Sequence, residues 1–111
     1  LGSRIIFCSG EKLGSGAGEL GSVLMKNFFY TLANSQNIPD LIILMNSGVR
    51  LSCTEEVVSS LNRLEERGVK ILACGTCLDY YGLQTAIRAG EISNMERITE
   101  ELTAAEQVVT L

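Results

Sequence analysis

A chain of 111 residues, 46% hydrophobic and 20% charged, suits one globular domain around one core. No run approaches the ~20 apolar residues of a membrane span, and no secretory leader opens the chain. A net charge of −4 with only nine basic residues offers no footprint for nucleic acid; Arg63, Arg67 and Lys70, interleaved with Glu65 and Glu66, read as a solvated helix face.

Leu1-Gly2-Ser3, with no Met, is read as a cloning scar or the start of an excised domain and is left out of the fold argument. Arg4 to Cys8 (RIIFC) is a short apolar run with β-branched residues, expected to be a buried strand. Ser9 to Gly18 is a glycine-rich loop. Glu19 to Ser35 carries Leu20, Val23, Leu24, Phe28, Tyr30 and Leu32, mostly at helical spacing, and Glu19 suits the helix dipole. Pro39-Asp40 introduces a second buried strand, Leu41 to Met45 (LIILM), and Asn46 to Val49 (NSGV) follows as a loop.

Thr54 is a candidate N-cap for a helix that runs to Arg67 and stops at Gly68, with Leu61 and Leu64 facing the core. Val69 to Ala73 is the third strand, ending at Cys74. Leu78 to Arg88 is expected to be a short irregular helix broken near Gly82. Asn94 to Leu102 reads as a last helix and Gln107 to Thr110 as a last strand. Strands that alternate with helices, and that are apolar throughout, predict an α/β fold: a three-layer α/β/α sandwich with a mostly parallel sheet of four to five strands.

In such sheets chemistry gathers at the carboxyl ends of the strands. Cys8 ends the first strand, Cys74 the third, Cys77 follows it, and Cys53 lies beyond the second. All four cysteines are therefore expected near one edge, together with the glycine loop and Asn46 to Arg50. Long regular segments favour free thiols in a reducing cytoplasm over disulfides.

Several chemistries compete for this edge. Gly16-Ala17-Gly18-Glu19-Leu20-Gly21 is a formal G-x-G-x-x-G, but it does not follow its strand directly, and Met45-Asn46 stands where a dinucleotide site wants an acid. A Walker A loop is missing. A zinc site would need Cys8 and Cys53 to join the Cys74-x-x-Cys77 pair, since the chain has no histidine. A thioredoxin-like dithiol wants a cis-proline facing it, and the single proline, Pro39, lies at the wrong end of its strand. No cofactor and no metal are expected. What remains is a nucleophilic thiol at Cys74, against a buried strand-end cysteine, and the residues leave these two readings open. Gly75 would let a partner's backbone approach, and the N–H groups of residues 75 to 78 would favour a thiolate if they pointed inward. Arg50 would add charge from across the edge. Asp79 reads as a helix cap, Tyr80 and Tyr81 as one exposed and one buried ring, and Cys8 and Cys53 as structural.

ILACGTCLDYYGL (Ile71 to Leu83), NSGV, the glycine loop before ELG (Glu19 to Gly21) and EISNM (Glu91 to Met95) resemble the C-terminal domain of the YedF family of selenium-metabolism proteins. That domain belongs to the DsrE/DsrF-like group of sulfur-relay proteins. The resemblance runs from Arg4 to Leu111, and its CGTCLDYYG and NSGV blocks are the specific ones. It implies a single DsrE/F-like domain over residues 1–111, which in the selenium-linked branch follows an N-terminal domain like the small sulfur carrier TusA. It also implies a sulfur or selenium carrier that holds a persulfide. Matched on Val69 to Cys74, the carrier cysteine falls on Cys74. Cys77 is an addition that either resolves the persulfide into a disulfide or only sits nearby. Asn46, Ser47, Gly48, Gly75 and Thr76 would form the loop that meets substrate or partner. The implied partners are sulfur donor and acceptor proteins, including a TusA-like domain, and further copies of the chain. The alternative is a non-enzymatic binding or regulatory module with structural cysteines.

Overall fold

The computed structural model describes residues 3–111; Leu1 and Gly2, read as a scar, lie outside the described residues. Five strands, β1 (Arg4–Cys8), β2 (Leu41–Leu44), β3 (Lys70–Cys74), β4 (Glu91–Ser93) and β5 (Gln107–Thr110), form one sheet in the order β4-β3-β2-β1-β5. Every pairing is parallel. The connecting helices are α1 (Gly18–Ala33), α2 (Glu55–Glu66), α3 (Gly75–Tyr81) and α4 (Met95–Ala104), with a 3-10 helix over Asn46–Cys53.

The central strands are apolar throughout because both their faces are covered. Ile42, Ile43, Leu44 and Leu72 are completely buried, each contributing about 1.5–3 kcal/mol of transfer free energy. Leu61 and Leu64 of α2 face this core as expected. α1 does not turn the expected side inward. Met25, Phe29 and Ala33 are buried, with Gly21 a turn before them, whereas Leu20, Val23, Leu24 and Tyr30 are exposed. The buried row follows an i, i+4 spacing one step round the helix from the apolar set that the sequence advertises. Gly21 begins this row for a steric reason: a Cβ there would stand 2.8 Å from Lys12 Cβ, and Gly21 O accepts from Leu13 N at 3.0 Å, so the glycine loop folds back onto α1.

Helix ends follow local chemistry. Gly68, with φ of +93°, receives the chain after α2. Arg67, the C-cap of α2, donates from Nη1 to Ala33 O and Ser35 O at 3.0 and 2.7 Å, tying it to the end of α1. Thr54 is the N-cap of α2, but its hydroxyl donates back to Arg50 O at 2.8 Å instead of accepting from the helix. Asn94 caps α4 through its side chain, accepting from Arg97 N at 2.9 Å.

Beyond β3, two elements differ from the sequence reading. The segment expected to be a helix over 78–88 is helical from Gly75 to Tyr81 and leaves by way of Gly82, which has φ of +67°. Glu91–Ser93 forms an unexpected fourth strand. It is held by Gly90, at φ of +83°, which lies against Ile71 where a Cβ would meet Ile71 Cγ2 at 2.9 Å and Ile71 O at 3.0 Å. Glu65 accepts from Gly90 N at 3.0 Å, and Glu91 lies 3.2 Å from Lys70 Nζ and 3.7 Å from Arg97. Those exposed pairs add no more than about 1 kcal/mol each.

This extra strand decides where the sheet opens. The chain steps β1 to β2 to β3 to β4 in one direction, then returns across the sheet to β5. With right-handed crossovers, the connection out of β4 passes over the face opposite to the earlier ones. The connections leaving β3 and β4 therefore diverge at the carboxyl ends of these two strands.

Candidate functional site

Cys74 and Ser93 are register partners at the carboxyl ends of β3 and β4. Parallel partners send their side chains to the same face. Cys74 is 2% exposed and is the N-cap residue of α3, so Gly75, Thr76 and Cys77 form the first helical turn directly after it. Gly75 is needed there: a Cβ would stand 3.0 Å from Ser93 O and 3.3 Å from Ile92 Cγ2. Cys77 is thus a helical residue, in the first turn after Cys74.

Cys77 Sγ accepts from Asn46 N at 3.1 Å and lies 3.8 Å from Met45 Sδ. Burial pushes the Cys77 thiol above its ordinary range, and the neighbouring Cys74 thiol adds to this; the Asn46 N–H works the other way. Asn46 holds that N–H in place with a left-handed backbone, φ of +52°. Its Oδ1 accepts from Tyr81 Oη at 3.5 Å. The Arg50 guanidinium stands 5.0 Å from the centre of the Tyr81 ring and 3.7 Å from Glu11, a cation–π arrangement that fixes the ring at the mouth of the site. Tyr80 is exposed and Tyr81 partly buried, as expected of the two rings.

Asn46, Ser47 and Gly48 open the 3-10 helix instead of an irregular loop. Ser47 Oγ accepts from Glu11 N at 3.2 Å, and Gly48 packs against the end of β1. The structure therefore gathers Cys74, Gly75, Thr76, Cys77 and Asn46 at one place, with Ser47 and Gly48 behind them.

It does not gather the four cysteines. All four are free thiols. Cys8 shares its cross-strand row with Leu44 and Ala73, so it lies on the face opposite to Cys74. There it is completely buried, 4.0 Å from Met25 Sδ and donating to Gly10 O at 3.2 Å. Cys53 ends the 3-10 helix beside Ser52 Oγ at 3.7 Å. Among the described residues no three of His, Cys, Asp and Glu converge, so a four-cysteine zinc arrangement is not formed. Asp79 lies inside α3, bonded to Gln84, and does not cap its start. A cleft of about 350 Å³ is lined by Glu11, Val23, Lys26 and Val57 among others, and by neither cysteine of the pair.

Burial holds the Cys8 thiol up to about 11, from an ordinary 9.0. Between those pH values the unfolded chain ionises Cys8 and the folded chain does not, so the unfolded state binds fewer protons and stability falls as pH rises. The loss approaches about 2.7 kcal/mol, two pH units at 1.36 kcal/mol each. Denaturant unfolding of the parent and of Cys8→Ala, near pH 8 and near pH 11, isolates this contribution. The variant is expected to lose less stability over that interval, and equal losses would contradict it.

Two residues of the site carry no sequence signal. Ser93 Oγ is buried and has no hydrogen-bond partner, a condition that costs about 1–3 kcal/mol and leaves a free hydroxyl beside Cys74. Met45 reads as the last residue of an apolar strand, yet its sulfur faces Cys77.

The sequence model of the DsrE/DsrF-like family matches residues 25–111. That span starts within α1 and includes the whole of the site. The YchN protein of Escherichia coli superimposes with a TM-score of 0.71 at 20% identity, over 98% of this chain and 99% of that one. A conserved protein of unknown function from Bacteroides thetaiotaomicron, BT1422, gives 0.67 at 17% identity, over 98% and 95%. At these identities the likeness is one of fold. No curated protein matches the sequence.

Proposed function

Because the chain belongs to the DsrE/DsrF-like family, we propose that it carries sulfane sulfur as a persulfide on Cys74. The observation that supports this is the pair of free thiols, Cys74 and Cys77, at the carboxyl end of β3 and in the first turn of α3. The Cys74 thiolate attacks the terminal sulfur of a donor persulfide. The Cys74 S–S bond forms, the donor's S–S bond breaks, and the donor leaves as a thiol with the proton that Cys74 gave up. An acceptor thiolate then attacks the terminal sulfur, and the electron pair returns to Cys74. In a second exit, Cys77 attacks Cys74 Sγ, hydrosulfide leaves, and the resulting Cys74–Cys77 disulfide is reset by an external dithiol. Cys74 is covered, so loading includes local opening of the first turn of α3.

The finer placement in the YedF branch rests on CGTCLDYYG and NSGV. Selenium would travel on the same thiol as a selenylsulfide. Donor, acceptor, a TusA-like partner, self-association and a cytoplasmic setting belong to the same proposal. Among the described residues no helix is long and apolar enough to cross a membrane. The test is intact mass after reaction with a persulfide or selenium donor. A gain of one sulfur or one selenium, lost on reduction and carried by the peptide that contains Cys74, is the expected result; no gain sinks the proposal.

A second reading, a binding or regulatory module with structural thiols, is favoured by the burial of Cys74 and the raised Cys77 pKa, since a reactive thiol is ordinarily exposed and acidic. It predicts no uptake from any donor and no thiol more acidic than free cysteine.

A further inference from the structure

Three sulfur atoms meet at the site, and sulfur transfer uses only two of them. Met45 Sδ lies 3.8 Å from Cys77 Sγ, and the strand register places Met45 beside Cys74, one step beyond the Leu44–Ala73 pair. We propose that Met45, Cys74 and Cys77 form a three-sulfur binding site for a soft monovalent metal ion, copper(I).

The geometry suits trigonal coordination. With metal–sulfur bonds of about 2.3 Å, three ligands at the corners of a triangle stand roughly 4 Å apart, close to the observed 3.8 Å. Met45 and Cys77 therefore need almost no movement to share an ion. Donor type then selects the metal. A thioether and two thiolates are soft ligands that favour copper(I). Zinc would want a fourth nitrogen, oxygen or thiolate ligand, and the chain has no histidine and, among the described residues, no third Cys, Asp or Glu at the site. Binding needs no redox step: the ion arrives as copper(I), and the two thiols release their protons as they become ligands.

Position also matters. The chain has a second thiol–thioether contact, Cys8 with Met25 at 4.0 Å, but it lacks another thiol and Cys8 is sealed in the core. Met45 and Cys77 are only partly buried. The elements that present them are fixed by unrelated contacts: Met45 N donates to Cys8 O at 2.9 Å, and Asn46 N holds Cys77 Sγ. Met45 and Cys77 are thus positioned before any ion arrives, which lowers the ordering cost of binding, and Cys74 joins them through the same local opening of the first turn of α3.

The test uses the whole reduced protein under anaerobic conditions, with copper(I) supplied as its bathocuproine disulfonate complex. Loss of that complex's colour is expected to show one equivalent withdrawn per chain. X-ray absorption is expected to show three sulfur scatterers. Met45→Leu keeps the volume and is expected to leave the far-UV circular dichroism unchanged. It should weaken copper(I) binding at least about tenfold and reduce the shell to two sulfurs. Cys77→Ser should abolish withdrawal at the same chelator concentration. The proposal is overturned if the parent withdraws no copper, or if Met45→Leu binds as tightly as the parent with the same shell.

Discussion

Cys74→Ser is expected to abolish sulfur uptake, whereas Cys77→Ser takes up one sulfur and keeps it longer. The two substitutions remove one atom type from neighbouring positions, yet the fold gives those positions different duties. Cys74 is the last residue of β3, fixed opposite Ser93 in the ladder, and it is the thiol proposed above as the carrier. Cys77 stands one turn into α3, with its sulfur among Cys74, Met45 and the Asn46 N–H. It is held protonated by burial and by Cys74, which suits a group that acts second. A tethered thiol has an effective concentration of at least about 1 mM, so its removal prolongs the persulfide roughly tenfold against about 0.1 mM external thiol. Intact mass followed over time after donor removal measures both effects. Uptake by Cys74→Ser together with none by Cys77→Ser would reverse the assignment. Serine in the buried Cys74 position keeps the size of the side chain, so unchanged thermal unfolding serves as the control for both variants.

Those duties were only partly legible in the sequence. The continuous apolar runs of β1, β2 and β3 gave away a parallel sheet, because only strands covered on both faces lack alternation. That placed Cys8 and Cys74 at the carboxyl edge. Which face each takes depends on register, and register separated them: Cys8 aligns with Ala73, one residue short of Cys74. Glu91–Ser93 escaped notice because three residues with a single apolar side chain carry no period, and its strand exists through Gly90, Glu65 and Lys70. That strand supplies Ser93, the register partner of Cys74. The start of α3 was misread because Gly75 and Thr76 are poor helix formers; contacts with Ser93 and the 3-10 helix override that preference. The exposed Leu20, Val23 and Leu24 stripe misled for the opposite reason, since periodicity reports an apolar face without saying what covers it.

Gly48→Ala is expected to lower stability by roughly 3 kcal/mol, the upper end of what overpacking costs. A Cβ at this position would stand 2.4 Å from Cys8 O, 3.2 Å from Cys8 C and 3.3 Å from Gly10 N. All three are backbone atoms, so no rotamer change can relieve the clash. The oxygen it strikes already accepts from Met45 N at 2.9 Å, and Gly48 N in turn donates to Met45 O at 2.8 Å. Making room therefore means lifting the start of the 3-10 helix from β1 and disturbing the bonds on either side of Met45. For a domain of this size the melting temperature should fall by roughly 10 °C. Gly16→Ala is the matched control, since a Cβ there meets nothing within 4 Å, and its effect should stay within about 0.5 kcal/mol. The same displacement reaches the thiols. Met45 and Asn46 lie on the segment that moves, and Asn46 N is the donor that opposes the rise of the Cys77 pKa. Loss of that donor raises it further, so the pH dependence of Cys77 alkylation should shift upward in Gly48→Ala and not in Gly16→Ala. A Gly48→Ala protein that melts with the parent would mean that this close approach is not what seats the loop. One that melts low but alkylates at the parent's pH would mean that the loop and the thiol are seated independently.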